Sequence, residues 1–355
     1  MKRFIPMLLA ATCLAGFPAV AQNVPEIAFD SAANALTTPD DIYLGEVGGV
    51  ATDSKGNIFV YTRTGHPTVS LGGARAFAHG GSRLFQFDRT GKYTREIGKD
   101  LYGFMCAQQV RVDKEDNIWA VDQMTNMVIK FDPQGRVALL LGRKAEGTPI
   151  PTPPPPAAGP PGVNGAPIGS GRPQDIFDRP TDVAWDAQGN IFVADGQGNA
   201  RVAKFTKDGV FVKSWGSKGN GNGQFDVVRS IAVTAQGDVI VADGGNNHRI
   251  QVFDNDGTYK TQFAAVGNPQ AICLTTGANP VLYVSNSNPP NNIDTAGEIY
   301  KMDLTGKIMG KFGRAGKLPK EFGTVNAIDC RTDNNLLVGE IGNLRVQKLT
   351  LHPAG

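Results

Sequence analysis

The chain has 355 residues, of which 41% are hydrophobic and 19% charged, and its 35 basic and 33 acidic residues nearly balance. A chain without a strong basic excess is not expected to bind nucleic acid or anionic membrane surfaces. The length would ordinarily indicate two domains, but repeat architectures of this size form a single domain.

Residues 1–21 have the pattern of a secretory signal. Lys2 and Arg3 precede a short apolar run, and Ala19 to Ala21 provides a cleavage site. The apolar run is too short to span a bilayer. We therefore expect cleavage near Ala21 and a periplasmic or secreted protein that does not insert into a membrane.

From Gly48 onward the sequence repeats one pattern of four short apolar runs separated by turns rich in Gly, Asn and Asp. Such a pattern predicts a four-stranded antiparallel meander. Six copies recur, and from the third copy to the fifth the period is near 45 residues, a spacing typical of propeller blades. They lie at 48–97, 108–141, 178–216, 225–263, 269–312 and 325–351. A single copy cannot bury its apolar faces, so the repeats predict an all-β, six-bladed β-propeller over 48–352, rather than a β-sandwich or a β-solenoid.

The sixth copy ends at its third strand, Leu344 to Leu351. A propeller needs a closed ring so that no sheet edge is left unpaired. We therefore predict that the N-terminal segment 22–47 adds the missing outermost strand to the last blade, around Val24 to Phe29.

Two insertions are predicted on one face of the disc, which we call the insertion face. They are Thr62 to Ser82 in blade one and the Pro/Gly-rich segment 143–177 between blades two and three. Short turns such as 53–56 are predicted on the opposite face, the turn face. The segment 143–177 should be partly extended, either as a solvated linker or as a lid over the channel mouth.

An acidic residue followed by an Arg five or six residues later recurs after the second strand of three copies. The pairs are Asp195 and Arg201, Asp243 and Arg249, and Glu340 and Arg345. Repetition in several blades favours a structural role, because a ligand site is usually unique.

The first strand of each copy is predicted to line the central channel. It ends at Asp53, Asp113 and Asp186 in the first three copies and at Thr234 in the fourth. Five residues earlier, the strand enters the channel mouth. The mouth positions hold Gly48, Gln108, Thr181, Arg229, Gln270 and Asn326. These polar groups either recognise a ligand or hydrogen-bond one another and water.

The His and Cys residues leave further alternatives open. His66, His79 and His248 are all predicted on the insertion face and could bind zinc, although no spacing identifies them as ligands. After signal removal Cys106, Cys273 and Cys330 remain, an odd number that excludes full pairing. Cys273 and Cys330 could lie near each other, but we expect all three to be small buried apolar residues.

The copies resemble NHL repeats in the Gly-Asn-Ile-Phe-Val-Ala-Asp run that ends at Asp195 and in the Asn-x-Arg that follows it. The chain is most similar to the propeller of peptidyl-α-hydroxyglycine α-amidating lyase. The resemblance is carried by Pro180 to Ala184, Asp195 to Arg201, Trp215 to Gly216 and Gly223 to Phe225.

This resemblance implies zinc held by three His at the channel mouth, a structural calcium held partly by an adjacent Asp, and a Tyr and an Arg acting on the substrate. Here the zinc positions read Gln108, Arg229 and Asn326, the calcium position reads Ala327 and the Tyr position reads Gln197. The Arg has a counterpart in Arg63. Gln and Asn are weak zinc ligands and an Arg repels a metal ion, so we expect the fold to carry over without the zinc chemistry. The chain also resembles gluconolactonase-type propellers, which bind calcium in the channel. Asn326 could supply one ligand of such a calcium site.

The sequence therefore predicts an exported propeller that binds a small anionic molecule, a peptide or a protein at the channel mouth. Arg63 and Arg229 would contact an anionic group. The expected hydrogen-bonding partners are Gln108, Thr181, Gln197 and Asn326. The alternative is a metal-dependent lyase or hydrolase, in which zinc or calcium is held by a set that includes His66, His79 or His248.

Overall fold

The computed structural model describes residues 24–65, 68–71, 75–78, 81–143, 176–289 and 291–352. These residues form six four-stranded antiparallel sheets, and the first strands of neighbouring sheets contact one another in a closed cycle. The predicted all-β, six-bladed propeller is confirmed. Within the described ranges there is no helix that could cross a membrane.

The strands are arranged blade by blade in chain order. Blade one contains β2 (Glu46–Thr52), β3 (Ile58–Arg63), β6 (Ser82–Phe87) and β7 (Tyr93–Ile97), with the hairpin β4 (Thr68–Leu71) and β5 (Arg75–Ala78) inserted. Blade two contains β8 (Ala107–Val112), β9 (Ile118–Asp122), β10 (Met127–Phe131) and β11 (Val137–Gly142). Blade three contains β12 (Asp182–Trp185), β13 (Ile191–Asp195), β14 (Arg201–Phe205) and β15 (Phe211–Trp215). Blade four contains β16 (Val227–Val233), β17 (Val239–Gly244), β18 (Arg249–Phe253) and β19 (Tyr259–Phe263).

Blade five contains β20 (Pro269–Leu274), β21 (Leu282–Asn286), β22 (Ile299–Met302) and β23 (Ile308–Phe312). A short parallel pair, β24 (Arg314–Ala315) and β25 (Glu321–Phe322), follows it. Blade six contains β26 (Val325–Thr332), β27 (Asn335–Glu340), β28 (Arg345–His352) and the N-terminal strand β1 (Ala28–Ala32).

The N-terminal strand closes the ring, as predicted. Strand β1 pairs antiparallel with β28 and forms the outer edge of blade six. It runs from Ala28 to Ala32 and overlaps only the end of the predicted range Val24 to Phe29, because the preceding residues pair with blade five instead. The Ile27 amide nitrogen donates to the Lys311 carbonyl oxygen at 2.8 Å. The N-terminal segment therefore contacts the last two blades.

The hydrophobic core lies between blades. In one cluster, Phe59 and Tyr61 of blade one pack with Val110 and Ile129 of blade two. Six such buried clusters occupy the six interfaces between adjacent blades. Each fully buried large apolar side chain contributes about 1.5–3 kcal/mol. A blade removed from the ring would lose most of this burial, which explains why the repeats fold together.

The recurring acid and Arg form buried ion pairs with the predicted structural role. Each Arg Nε donates to one oxygen of its acid at 2.8–2.9 Å, and the other oxygen accepts a backbone N–H from the connection that enters the blade. The pairs are Arg201–Asp195, Arg249–Asp243 and Arg345–Glu340. These contacts fix the connections between successive blades.

The expectation that all three cysteines are unpaired is wrong. Cys273 of β20 and Cys330 of β26 form a disulfide, with their Cα atoms 6.0 Å apart. The two residues belong to neighbouring first strands, which brings them together although they are 57 residues apart in sequence. Cys106 keeps a free thiol.

Candidate functional site

A β-bulge interrupts the first strand of five blades at the channel mouth. The register shifts lie between residues 47 and 49, 107 and 109, 228 and 230, 269 and 272, and 325 and 327. The bulged residues include the predicted mouth positions Gly48, Gln108, Arg229, Gln270 and Asn326. A bulge redirects a side chain, and bulges are common beside functional sites. The same local distortion therefore marks each of these positions.

A hydrogen-bond network joins the mouth residues of blades five, six, one and two. Asn326 Nδ2 donates to the carbonyl oxygens of Gly48 and Gln108 at 2.6 and 2.9 Å. Asn326 Oδ1 accepts from Gln270 Nε2 at 2.7 Å. Asn326 and Gln108 are both buried. On this side of the channel, the mouth groups bond chiefly to one another.

Arg63 joins this network from the end of β3. Its Nε donates to the Ala107 carbonyl oxygen at 2.8 Å, and its Nη2 donates to Gln108 Oε1 at 3.0 Å. Its Nη1 donates to Glu46 Oε2 at 2.9 Å. All three nitrogens of Arg63 are thus engaged, and Glu46 neutralises its charge.

Arg229 has no such partner. Its side-chain stem lies against Gly244, where an added Cβ would be 2.8 Å from Arg229 Cγ. Its Nε is buried without a hydrogen-bond partner, and Arg229 forms no ion pair with any described residue. Burial lowers the pKa of Arg229, and attraction to Asp226 opposes this shift. The Asp226 carboxylate is already bound by Lys218 and by the Asn246 amide nitrogen.

Thr181 and Gln197 lie on blade three. Thr181 Oγ1 donates to the Val228 carbonyl oxygen at 2.7 Å and so joins blade three to the bulged strand of blade four. Gln197 follows β13 in the loop before β14, and its side chain is partly exposed. Thr181 therefore helps to hold the strand that carries Arg229.

The structure describes one of the three candidate His ligands. His248 is exposed in the turn between β17 and β18, with a φ of 50° in the left-handed region. His66 and His79 lie outside the described residues, as do the signal segment 1–21 and most of the insertion 143–177.

The residues at the implied zinc positions do not fit a zinc ion. Asn326 donates to two carbonyl oxygens and its own oxygen accepts from Gln270, while Gln108 Oε1 accepts from Arg63. Arg229 is itself a cation. In the part of the chain that the structure describes, no three His, Cys, Asp or Glu residues converge as a metal site. These positions supply hydrogen bonds and positive charge, not the nitrogen and sulfur ligands that zinc prefers.

An ion pair deeper in the channel was missed by the sequence analysis. Arg111 of β8 donates Nε and Nη2 to the two carboxylate oxygens of Asp182 at 2.9 and 2.7 Å. Its Nη2 also reaches Ser230 Oγ at 3.2 Å and the Ile272 carbonyl oxygen at 3.1 Å. The Asp182 side chain is fully buried. The sequence did contain a signal for this pair, because each of two strands that were predicted to line the channel carries one charged residue.

The comparisons with known proteins agree with this fold. Residues 225–253 match the NHL repeat. The chain is 28% identical over 204 residues to peptidylglycine α-amidating monooxygenase of Rattus norvegicus, which covers 52% of this chain and 18% of that protein. It is 29% identical over 201 residues to peptidyl-α-hydroxyglycine α-amidating lyase 1 of Drosophila melanogaster, covering 53% of this chain and 32% of that protein. The match thus spans less than a third of each relative.

Two solved structures share the fold. Virginiamycin B lyase from Staphylococcus aureus has a TM-score of 0.54 and 14% identity, covering 92% of this chain and 100% of that one. A gluconolactonase from Xanthomonas campestris has a TM-score of 0.55 and 14% identity, covering 87% of each chain. At this identity the likeness concerns the fold alone. The chain is a six-bladed β-propeller with an NHL repeat, and over about half of its length it is similar to peptidyl-α-hydroxyglycine α-amidating lyases.

Proposed function

We propose that this chain is an exported propeller that binds a small carboxylate-bearing molecule or peptide at the channel mouth, with Arg229 as the main contact. The observation that carries the proposal is the Arg229 guanidinium, whose Nε is buried without a partner. A partly buried charge without a counter-charge is costly, so a site of this kind favours an anionic ligand. A carboxylate matches the planar guanidinium with two hydrogen bonds.

Residues of blades one and two complete the proposed site. Blades one and four are opposite each other in a ring of six, so Arg63 and Arg229 come from opposite sides of the mouth. Arg63 is neutralised by Glu46 and holds the Gln108 oxygen, which leaves the Gln108 amide nitrogen to donate to the ligand. Thr181 and Asn326 support the site through their bonds between blades, and Gln197 borders it on blade three. Zinc has no part in this proposal, because the residues at the implied positions do not fit it.

The test uses N-benzoylglycine as a carboxylate probe and its uncharged amide as the matched control. Isothermal titration calorimetry on the purified mature chain should show binding of the acid at least about tenfold tighter than the amide, since a hydrogen-bonded charge contributes more than a neutral group. Arg229→Met should bind one molecule of the acid fewer per chain. Equal binding of acid and amide, or unchanged binding by Arg229→Met, would overturn the proposal.

A stability measurement separates a ligand-binding Arg from a packing Arg. Arg229→Met should leave the melting temperature unchanged or raise it, because it removes an unpaired charge. Arg201→Met, at an Arg that is almost completely buried and bound to Asp195, should lower it by several degrees. If both substitutions lower the melting temperature equally, Arg229 is a packing residue.

The similarity to amidating lyases supports a second candidate, a metal-dependent lyase or hydrolase. Zinc or calcium would then be held by a set other than the mouth residues, including His248, His66 or His79. Metal analysis of the purified mature chain discriminates between the two. Stoichiometric metal that is lost in His248→Ala would favour the enzyme, whereas a metal-free chain that binds the carboxylate probe would favour the binding protein.

A further inference from the structure

A cavity of about 490 Å³ opens at the other end of the channel, on the turn face. It lies among the first strands of blades two to five, and Arg111 forms part of its lining. Most of the wall is apolar and includes Val183, Ile231 and Ile272. This volume and an apolar wall with few polar groups are typical of small-molecule sites.

Two of the three charged residues that line this cavity, Arg111 and Lys114, are cations. Arg111 is paired with Asp182, but its Nη1 makes only a long contact of 3.4 Å with the Ile328 carbonyl oxygen. Lys114 at the rim is exposed: its Nζ lies 3.7 Å from Glu115 Oε1 and donates to the Ala187 carbonyl oxygen at 3.3 Å, which leaves N–H groups of the ammonium unused. Each cation therefore keeps a donor for a ligand.

The acidic residue in the lining, Asp186, accepts hydrogen bonds mainly from residues of its own turn. Its Oδ1 accepts from the backbone nitrogens of Gln188 and Asn190 at 3.0 and 2.9 Å. Its Oδ2 accepts from the side chains of Asn190 and Asn255. This carboxylate adds negative charge but is already saturated with donors.

The turn after the first strand contains an Asp in blades one to three, but a Thr in blades four and five, where it lines the cavity. Thr234 Oγ1 accepts from the Asp238 amide nitrogen at 3.0 Å, and Thr275 Oγ1 accepts from the Val281 amide nitrogen at 2.8 Å. Blades one to three use a carboxylate for the same bond, at Asp53, Asp113 and Asp186. Because each hydroxyl uses a lone pair on the turn, its proton is left to donate to a ligand. Both Thr residues line the cavity.

A second cavity on the same face provides the contrast. It measures about 510 Å³ and lies between blades six and one. Its lining contains the carboxylates of Asp53 and Asp329 together with four basic side chains, Lys55, Arg89, Arg331 and Lys348. The hydroxyl group therefore replaces the carboxylate of this turn in blades four and five, whereas blades one to three keep the carboxylate.

We infer that the cavity among blades two to five is a second binding site, for a small molecule with one carboxylate group and an apolar body. The carboxylate would bind Arg111 Nη1 and Lys114, with the hydroxyl groups of Thr234 and Thr275 as further donors. The aliphatic or aromatic body would pack against the apolar wall. This site is independent of Arg229 and of the function proposed for the mouth.

The test measures octanoate binding to the mature chain by isothermal titration calorimetry, with 1-octanol as the uncharged control. In the Arg229→Met variant, which removes the main contact at the mouth, octanoate should bind saturably at one site per chain, and 1-octanol should bind at least about tenfold more weakly. The double substitution Thr234→Asp with Asp238→Asn recreates the Asp–Asn turn of blades one to three and places a carboxylate in the lining. It should weaken octanoate binding about tenfold or more, because like charges repel.

Matched variants locate the bound octanoate on the chain. Lys114→Gln should weaken octanoate binding, whereas Lys348→Gln, in the lining of the contrasting cavity, should not. Because a carboxylate could also bind Arg229 at the mouth, all of these variants are compared in the Arg229→Met background. If the double variant does not fold, Ala235→Trp at the exposed rim is used to block the cavity. The inference fails if the Arg229→Met chain does not bind octanoate, if 1-octanol binds to it equally well, or if the folded double variant or Ala235→Trp, made in the same background, binds octanoate as strongly.

Discussion

Arg111 and Asp182 form a two-bond ion pair that joins the first strands of blades two and three, at 2.9 and 2.7 Å. The same guanidinium reaches Ser230 of blade four and Ile272 of blade five. The pair lies between the channel mouth and the turn-face cavity. Through Arg111 it connects blade two to blades three, four, five and six. Its removal should therefore affect the whole ring.

Arg111→Met should lower the free energy of unfolding by about 3–5 kcal/mol, because the buried Asp182 carboxylate would lose its counter-charge. Urea denaturation followed by circular dichroism measures the change. Arg136→Met is the control, because Arg136 forms an exposed pair with Asp132. That substitution should cost less than about 1 kcal/mol. If both substitutions lower the free energy of unfolding equally, the ion pair of Arg111 does not stabilise the ring more than an exposed pair does.

Phe29→Ala tests the closure of the ring. Phe29 of β1 is buried, with its ring centroid 5.3 Å from that of Phe312 and 6.3 Å from that of Phe322. Removing a buried Phe side chain should lower the free energy of unfolding by about 3–5 kcal/mol. Tyr43→Ala, at a residue that is 78% exposed, should change it by less than about 0.5 kcal/mol. A small effect at Phe29 would mean that β1 does not close blade six.

The disulfide between Cys273 and Cys330 should contribute about 4 kcal/mol, because it closes a long loop in the unfolded chain. Chemical denaturation with and without a reductant measures this contribution, and Cys273→Ser with Cys330→Ser should match the reduced wild type. Cys106→Ser, which leaves the disulfide intact, should change the stability far less. Titration of the denatured mature chain should find one thiol, and finding three would refute the pairing.

The thiol of Cys106 should ionise at a higher pH in the folded chain than in the unfolded chain. Burial raises the pKa of its thiol to about 11. In the unfolded chain a thiol titrates at about 8.5. The folded state thus holds the proton of Cys106 more tightly than the unfolded state does. The contribution of the buried neutral thiol to stability is therefore complete below about pH 8.5 and is lost as the pH rises through about 11.

Iodoacetamide labelling followed by mass spectrometry measures this shift, because the thiolate is the reactive form. The rate in the folded chain should rise without a plateau until the pH approaches about 11. In urea the plateau should appear at about pH 9 or above, close to the ordinary thiol pKa. A plateau near that value in the folded chain would contradict the burial of Cys106.

The positions of the mouth residues could be predicted because the repeats are equivalent. Aligning the copies on Asp53, Asp113 and Asp186 placed one residue of each blade at the mouth, and five of these positions carry a bulge. The partners of these residues could not be predicted in the same way. Asn326 bonds to blades one, two and five, and these contacts depend on the radius of the ring.

The blade number, the strand order and the need for a closing N-terminal strand followed from local pattern, because alternation and turn residues act over a few residues and repeat along the chain. The Arg111–Asp182 pair, the Cys273–Cys330 disulfide and the unpaired state of Arg229 required the assembled ring. Each depends on groups from different blades that meet at the axis, and the energy of a buried charge or thiol is set by those neighbours.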